Sequence, residues 1–256
     1  MDLIENKISN SSNRHPWELA RFNVFLDLIS PFINLNQKLT ILDIGCGDCY
    51  FIGRLSEEFP SLNCIGIDIN FSDEQIECFK TIYPNIILYK SLSDIYKIES
   101  KVDLVLLMDV IEHIQDDNLF IQEELSQVTS KYNPLIFLTV PAFQSLFSHH
   151  DVLLEHYRRY NLSNLSNTLT SHNYNIIYSG YFFSSLIVLR ILELIKEKLN
   201  LNKADKGIAG WHQSPFITKI VTNILYLDYK ITGIFNRVFK FPGLTTYAIS
   251  KKELLN

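Results

Sequence analysis

Cysteine is scarce and poorly placed for a disulfide framework: the chain has four, Cys46, Cys49, Cys64 and Cys78, all in its first third. At 256 residues it is long enough to bury a core without covalent staples, so a reducing, cytoplasmic setting is the expectation. No basic n-region and apolar h-region stand at the N-terminus, and no signal peptide is expected. Long uncharged runs are missing too. The most apolar C-terminal segment is cut by Arg190 and Glu193 before it reaches the roughly 18 residues a membrane span requires. A basic surplus is also lacking, since the formal net charge is −5. That balance is uneven: 181–252 carries eleven Lys/Arg against four Asp/Glu, and the remainder is strongly acidic. An acidic first part argues against a nucleic-acid groove, whereas the basic, apolar second part suits an anionic surface such as lipid headgroups.

Glycine is sparse as well, with nine residues, yet two of them sit together in the most informative stretch. Leu39 to Ile44 is a short apolar run with β-formers, broken at Gly45 and Gly47. Phe51, Ile52, Leu55 and Phe59 then recur at helical spacing. A strand, a glycine turn and a helix build a nucleotide pocket at the strand's C-terminal end, where the missing Cβ atoms let a ligand approach the backbone. A dinucleotide fingerprint wants a third glycine where this chain has Tyr50. Asp68, ending the apolar run Cys64–Ile67, falls where a carboxylate accepts hydrogen bonds from ribose hydroxyls. An adenosine without a pyrophosphate fits better than NAD.

These residues resemble the first motif of class I S-adenosylmethionine methyltransferases, Asp-x-Gly-x-Gly-x-Gly, through Asp43, Gly45 and Gly47, with Cys49 in place of the third glycine. A second match strengthens the likeness: the apolar run Val102–Met108 delivers Asp109-Val110-Ile111-Glu112-His113, close to the family's Asp-Val-(Leu/Ile)-Glu-His. A third is the dense run from Ser148 to Tyr160, which resembles a subgroup carrying His-Asp, a spacer, then His-x-Arg-Arg-Tyr.

The resemblance implies S-adenosylmethionine as cofactor, held by Trp17, Arg21, Asp43, Gly45, Cys46, Gly47, Asp68, Ile69, Ser93, Asp109 and Val110. Trp17, Glu18 and Arg21 lie in a helix over 14–29 that could equally be a capping helix with a surface ion pair. Ser93 and Asp94 could equally be turn and cap residues. His150 or His156 would remove a proton from an acceptor hydroxyl, with Asp151 orienting it. His113, Arg158, Arg159 and Tyr160 would meet the substrate, although His113 also suits a structural role. Ion pairs such as Asp151 with Arg159 could instead make this run a structural cover. Metal ligation by His149, His150, Asp151 and His156 is the weaker reading, and no metal is expected.

Alternating strands and helices predict an α/β fold: a Rossmann-like, doubly wound sheet of seven strands, mostly parallel, with an antiparallel last strand and a helical insertion before it. The expected units are a polar tail and capping helix (1–37), the cofactor-binding core (38–181), the insertion (182–240) and the closing strand (241–256). The insertion repeats Ile217, Ile220, Val221, Ile224, Ile231, Ile234 and Val238 at helical spacing, with Lys219, Lys230 and Arg237 among them. It would cover a lipid-linked substrate or rest peripherally on a bilayer, or else pack on itself and a partner subunit. The expected activity is methyl transfer to a small-molecule or lipid-linked acceptor, with O-methylation favoured. Two rivals are a non-catalytic module on the same fold and a redox protein using Cys46-Gly-Asp-Cys49.

Overall fold

The computed structural model describes residues 14–97, 101–199, 211, 213–235 and 240–253. The polar start, residues 200–210 of the insertion, and Arg237 and Val238 lie outside the described residues.

Seven strands form one sheet: β1 (Thr40–Ile44), β2 (Asn63–Ile67), β3 (Ile86–Tyr89), β4 (Leu104–Met108), β5 (Leu135–Pro141), β6 (Tyr174–Phe182) and β7 (Thr245–Lys252). Their spatial order is β3-β2-β1-β4-β5-β7-β6. The first five are parallel, while β7 runs antiparallel between β5 and β6. Strands β1, β4 and β5 are buried along nearly their whole length because helices cover both faces. The direction of winding reverses between β1 and β4, which pair with Ile44 opposite Leu107. A crevice therefore opens beyond their C-terminal ends, next to Gly45 and Asp109.

Local chemistry explains the helix starts. Helix α1 (Pro16–Ile29) has Pro16 in its first turn and a reciprocal cap between His15 and Glu18. After α2 (Tyr50–Glu58), α3 (Asp73–Ile82) is opened by Ser72 and Gln75, each bonding the other's backbone N–H. The segment after β4 forms three helical pieces: α4 (Asp117–Leu119), a π-helical turn (Phe120–Leu125) and α5 (Ser126–Tyr132). Later come α6 (His149–Leu153), α7 (Leu162–Thr170), α8 (Ser184–Lys198) and α9 (Pro215–Phe235).

Two apolar layers hold the sheet. One gathers Phe22, Phe25, Ile52, Leu55 and Phe137 under α1 and α2; the other gathers Leu42, Val105, Ile121, Leu125 and Leu165. Helix α9 closes over α1, with Tyr226 donating to Asp27 at 2.6 Å and Lys230 2.8 Å from the same carboxylate. Helix α8 buries no residue at all. Val188, Leu189 and Leu192 are between 49% and 60% exposed, a costly display of apolar surface for an isolated chain.

Candidate active site

The glycine turn is shaped by left-handed backbone and, at Gly45, by a contact that leaves no room for a side chain. Gly45 has φ +72°, and a Cβ there would lie 2.7 Å from a methyl of Val110. Its N–H donates to Ile67 O at 2.8 Å, tying the turn to β2. Gly47 is also left-handed, at φ +54°, and its N–H donates to Asp68 Oδ2 at 3.0 Å. The other oxygen of Asp68 accepts from Asn70 N at 2.9 Å. A carboxylate has about four lone-pair sites, so each oxygen keeps capacity for a further donor. Cys49, standing for the third glycine, adopts φ +60° just before α2. The turn thus keeps its shape despite a side chain in a conformation that disfavours one.

Helix α1 supplies the opposite wall. Trp17, Glu18, Arg21, Asp43, Gly45, Cys46, Asp48, Tyr50, Phe51 and Met108 line one cavity. Arg14 pairs with Asp48 and with Glu18 (3.3 Å), and its guanidinium lies 4.1 Å over the Tyr50 ring. Arg21 reaches from α1 to the end of β4, 2.6 Å from Asp109 Oδ2, and also donates to Thr139 Oγ1 at 2.5 Å. Thr139 in turn donates to Asp109 Oδ1 at 3.1 Å. Burial works against ionisation of Asp109, but Arg21 and Thr139 outweigh it and hold the carboxyl below its ordinary range. Burial pushes Asp43 the other way, up to about 7.

A second group of ionisable side chains gathers just past β4. Asp151 is fully buried and accepts from Ser148 N (2.9 Å), Arg159 Nε (2.7 Å), Arg190 Nη2 (3.1 Å) and His156 Nδ1 (3.0 Å). Burial opposes its charge, yet the bonds from His156 and Arg159 keep its carboxyl well below the usual range. The His156 ring meets that of His113 edge-on, with centroids 4.5 Å apart. Glu112 is wholly buried, and neither carboxylate oxygen accepts a hydrogen bond. Burial, reinforced by the charge of Asp109, raises its carboxyl well above the ordinary value. The charge of Asp109 thus acts on Glu112 as well as on Arg21.

The methyltransferase-domain family matches residues 17–179. The chain belongs to that family. Among curated relatives, the ubiquinone biosynthesis O-methyltransferase of Pelagibacter ubique is 33% identical over 106 residues, covering 40% of this chain and 42% of that protein. The enzyme of the same name from Bartonella quintana is 30% identical over 136 residues, covering 50% and 47%. Both matches span less than half of the relative's length. Among solved structures, a SAM-dependent methyltransferase from Archaeoglobus fulgidus superposes with a TM-score of 0.52 at 21% identity, covering 91% of this chain and 94% of that one. The plantazolicin methyltransferase BpumL bound to SAH gives a TM-score of 0.52 at 15% identity, covering 93% and 85%. At such identities, the superpositions establish the shared fold.

As a member of the methyltransferase-domain family, the chain has a crevice whose chemistry fits S-adenosylmethionine. Trp17 Nε1 and Arg21 Nε are buried donors without a hydrogen-bond partner, and both residues line the cavity. They suit the carboxylate of a methionyl group. Asp43, Asp48 and Glu18 place carboxyl groups in the same cavity. Ile69, expected at the cofactor, is 79% exposed just beyond β2. Ser93 is exposed and shares a 2.8 Å hydroxyl–hydroxyl bond with Ser91, which is turn chemistry.

Several of the candidate residues are engaged by partners within the protein. His156 pairs with Asp151, whereas His150 joins in through its backbone N–H to Ser148 Oγ. Arg158 is engaged by Asp117 (2.7 Å) and Gln115 O, and Arg159 by Asp151 and Ala142 O. Tyr160 is buried and donates to Asp117 Oδ2 at 2.5 Å. All three were expected at the substrate; their polar groups brace the loop, and the buried Arg159 and Tyr160 must be paired because a buried cation or phenol left alone is costly. The Cys-x-x-Cys rival loses its chemistry as well. Burial and the neighbouring Cys49 thiol push Cys46 well up, away from the thiolate a redox dithiol needs. Sequence reasoning missed Arg14, Asp48 and Arg190. Each acts through a partner distant in the chain, for which no local pattern exists.

Proposed function

We propose that this chain transfers the methyl group of S-adenosylmethionine to a hydroxyl oxygen of a small molecule carrying an apolar tail. The observation that carries the reading is the Asp151–His156 pair, with the His113 ring edge-on to His156 and the buried Glu112 close to both. When bound, S-adenosylmethionine supplies an electrophilic methyl on a sulfonium sulfur. Trp17 and Arg21 would take its carboxylate, Asp68 its ribose, and the ionised Asp109 would stabilise positive charge near the reacting centre. His156, oriented through Nδ1 by an ionised Asp151, belongs to the centre that draws the proton from the acceptor. Most of the rate would come from alignment of acceptor and methyl between the β4 terminus and α6.

The exposed apolar faces of α8 and α9 support the tail assignment. Arg190 joins α8 to Asp151, and His149 N donates to Glu197 at 3.0 Å, so the apolar helix is braced directly against the catalytic loop. An acceptor whose tail lies along α8, with the chain resting peripherally on a bilayer, uses both features. The test is incubation with S-adenosylmethionine and matched phenols or quinols with and without prenyl tails. Mass spectrometry should show methyl ethers and S-adenosylhomocysteine, with tailed acceptors preferred. Methylation confined to nitrogen or carbon would contradict the oxygen assignment.

A further inference from the structure

The arrangement of Glu112 is costly as it stands. A wholly buried carboxyl whose oxygens accept no hydrogen bond needs some other partner. One donor atom each from Glu112, His113 and His156 lies within 4.8 Å of the other two. His156 already uses Nδ1 on Asp151 at 3.0 Å, which leaves Nε2 for this cluster. Asp151 is itself fixed by Ser148, Arg159 and Arg190. A carboxylate holding the far nitrogen of a histidine is the usual outer support of a metal-binding imidazole.

We propose that Glu112, His113 and His156 bind one divalent transition ion of the zinc class at the acceptor end of the site. Two imidazoles and one carboxylate suit such an ion and leave an open coordination position. Bonds of about 2.1 Å require donors about 3.4 Å apart, so rotations that move these atoms by about an ångström complete the set. This differs from the expected histidine set, since His149 and His150 take no part, and it reverses the expectation of no metal. Its role rests on the O-methyl transfer proposed above. The open position takes the acceptor hydroxyl, whose proton is released to solvent as the ion stabilises the oxygen anion. The new C–O bond forms as the S–CH3 bond breaks, and no oxidant or reductant is involved. His156 then serves as a ligand held by Asp151 and takes no proton itself.

The test uses the full chain stripped with a chelator and titrated with Co2+ as a spectroscopic probe, with Zn2+ measured by competition. One equivalent of Co2+ should bind with visible bands of a histidine-ligated site. Glu112→Gln and His156→Ala should each weaken Co2+ at least about tenfold, and Asp151→Asn by about tenfold or more. The His149→Ala/His150→Ala double variant should bind as the parent does. Circular dichroism and S-adenosylhomocysteine binding identify any variant that fails to fold. Absence of stoichiometric Co2+, or unchanged affinity in folded Glu112→Gln and His156→Ala, overturns the site. Methyl transfer by the stripped protein at full rate would also overturn the ion's role while leaving the proposed reaction intact. Binding of Co2+ without any O-methylation would sink the reaction and leave the ion site standing.

Discussion

Arg21 of the first helix sits 2.6 Å from the carboxylate of Asp109, 88 positions further along the chain. That pair fastens the wall of the cofactor crevice to the end of β4. Arg21→Ala would leave Asp109 without its cation in a largely buried setting. A loss on the order of 2–3 kcal/mol is expected, below the full buried-pair value because part of Asp109 still meets solvent. The sign with pH is fixed by the depressed carboxyl: the contribution is present above its ordinary value of about 4 and fades as pH falls through the folded value. Urea unfolding of both proteins at neutral and acid pH checks this, since the gap between them should narrow in acid.

Asp43 gives the opposite pH behaviour. Its carboxyl, raised by burial to about 7, favours the folded state below the unfolded value near 4, and that preference is lost as pH rises through about 7. A cationic ligand in the adjoining cavity favours the ionised form. Affinity for S-adenosylmethionine should therefore rise between about pH 6 and pH 8, with proton release on binding. Calorimetry in two buffers of different ionisation enthalpy measures that release, and Asp43→Asn should abolish it.

His156→Ala should lower turnover by about two to four orders of magnitude while leaving S-adenosylhomocysteine affinity unchanged. His150→Ala should stay near the parent rate, because only its backbone N–H serves the loop. Equal losses in the two variants would remove His156 from the chemistry.

The apolar face of α8 should govern association with membranes. Leu189→Glu and Leu192→Glu, both at exposed positions, should reduce flotation with anionic vesicles. Raising ionic strength should weaken the parent's association through screening of its lysines. Flotation that ignores both changes would assign the face to another role.

Much of this architecture is written locally. Ser72 and Gln75 announce α3, Pro16 marks α1, and the apolar runs ending at Ile44 and Met108 supply adjacent central strands. The cofactor crevice was legible for the same reason, since Gly45, Gly47 and Asp68 lie within two short motifs. The acceptor side was only half legible. Whether Arg159 faces a substrate or pairs with Asp151, and whether Asp117 holds Tyr160, depends on contacts between distant segments. The buried, unpartnered Glu112 had no signal of its own, because a motif records identity and says nothing about hydrogen bonds.

The most direct measurement is a calorimetric titration of S-adenosylhomocysteine into the parent chain and into Asp68→Ala, with thermal unfolding to confirm that both are folded. One site per chain is expected, weakened about tenfold or more in the variant by loss of charge-assisted bonds to the ribose. Unchanged binding by Asp68→Ala, or displacement of the ligand by NAD, would contradict the assignment of the crevice beside Gly45.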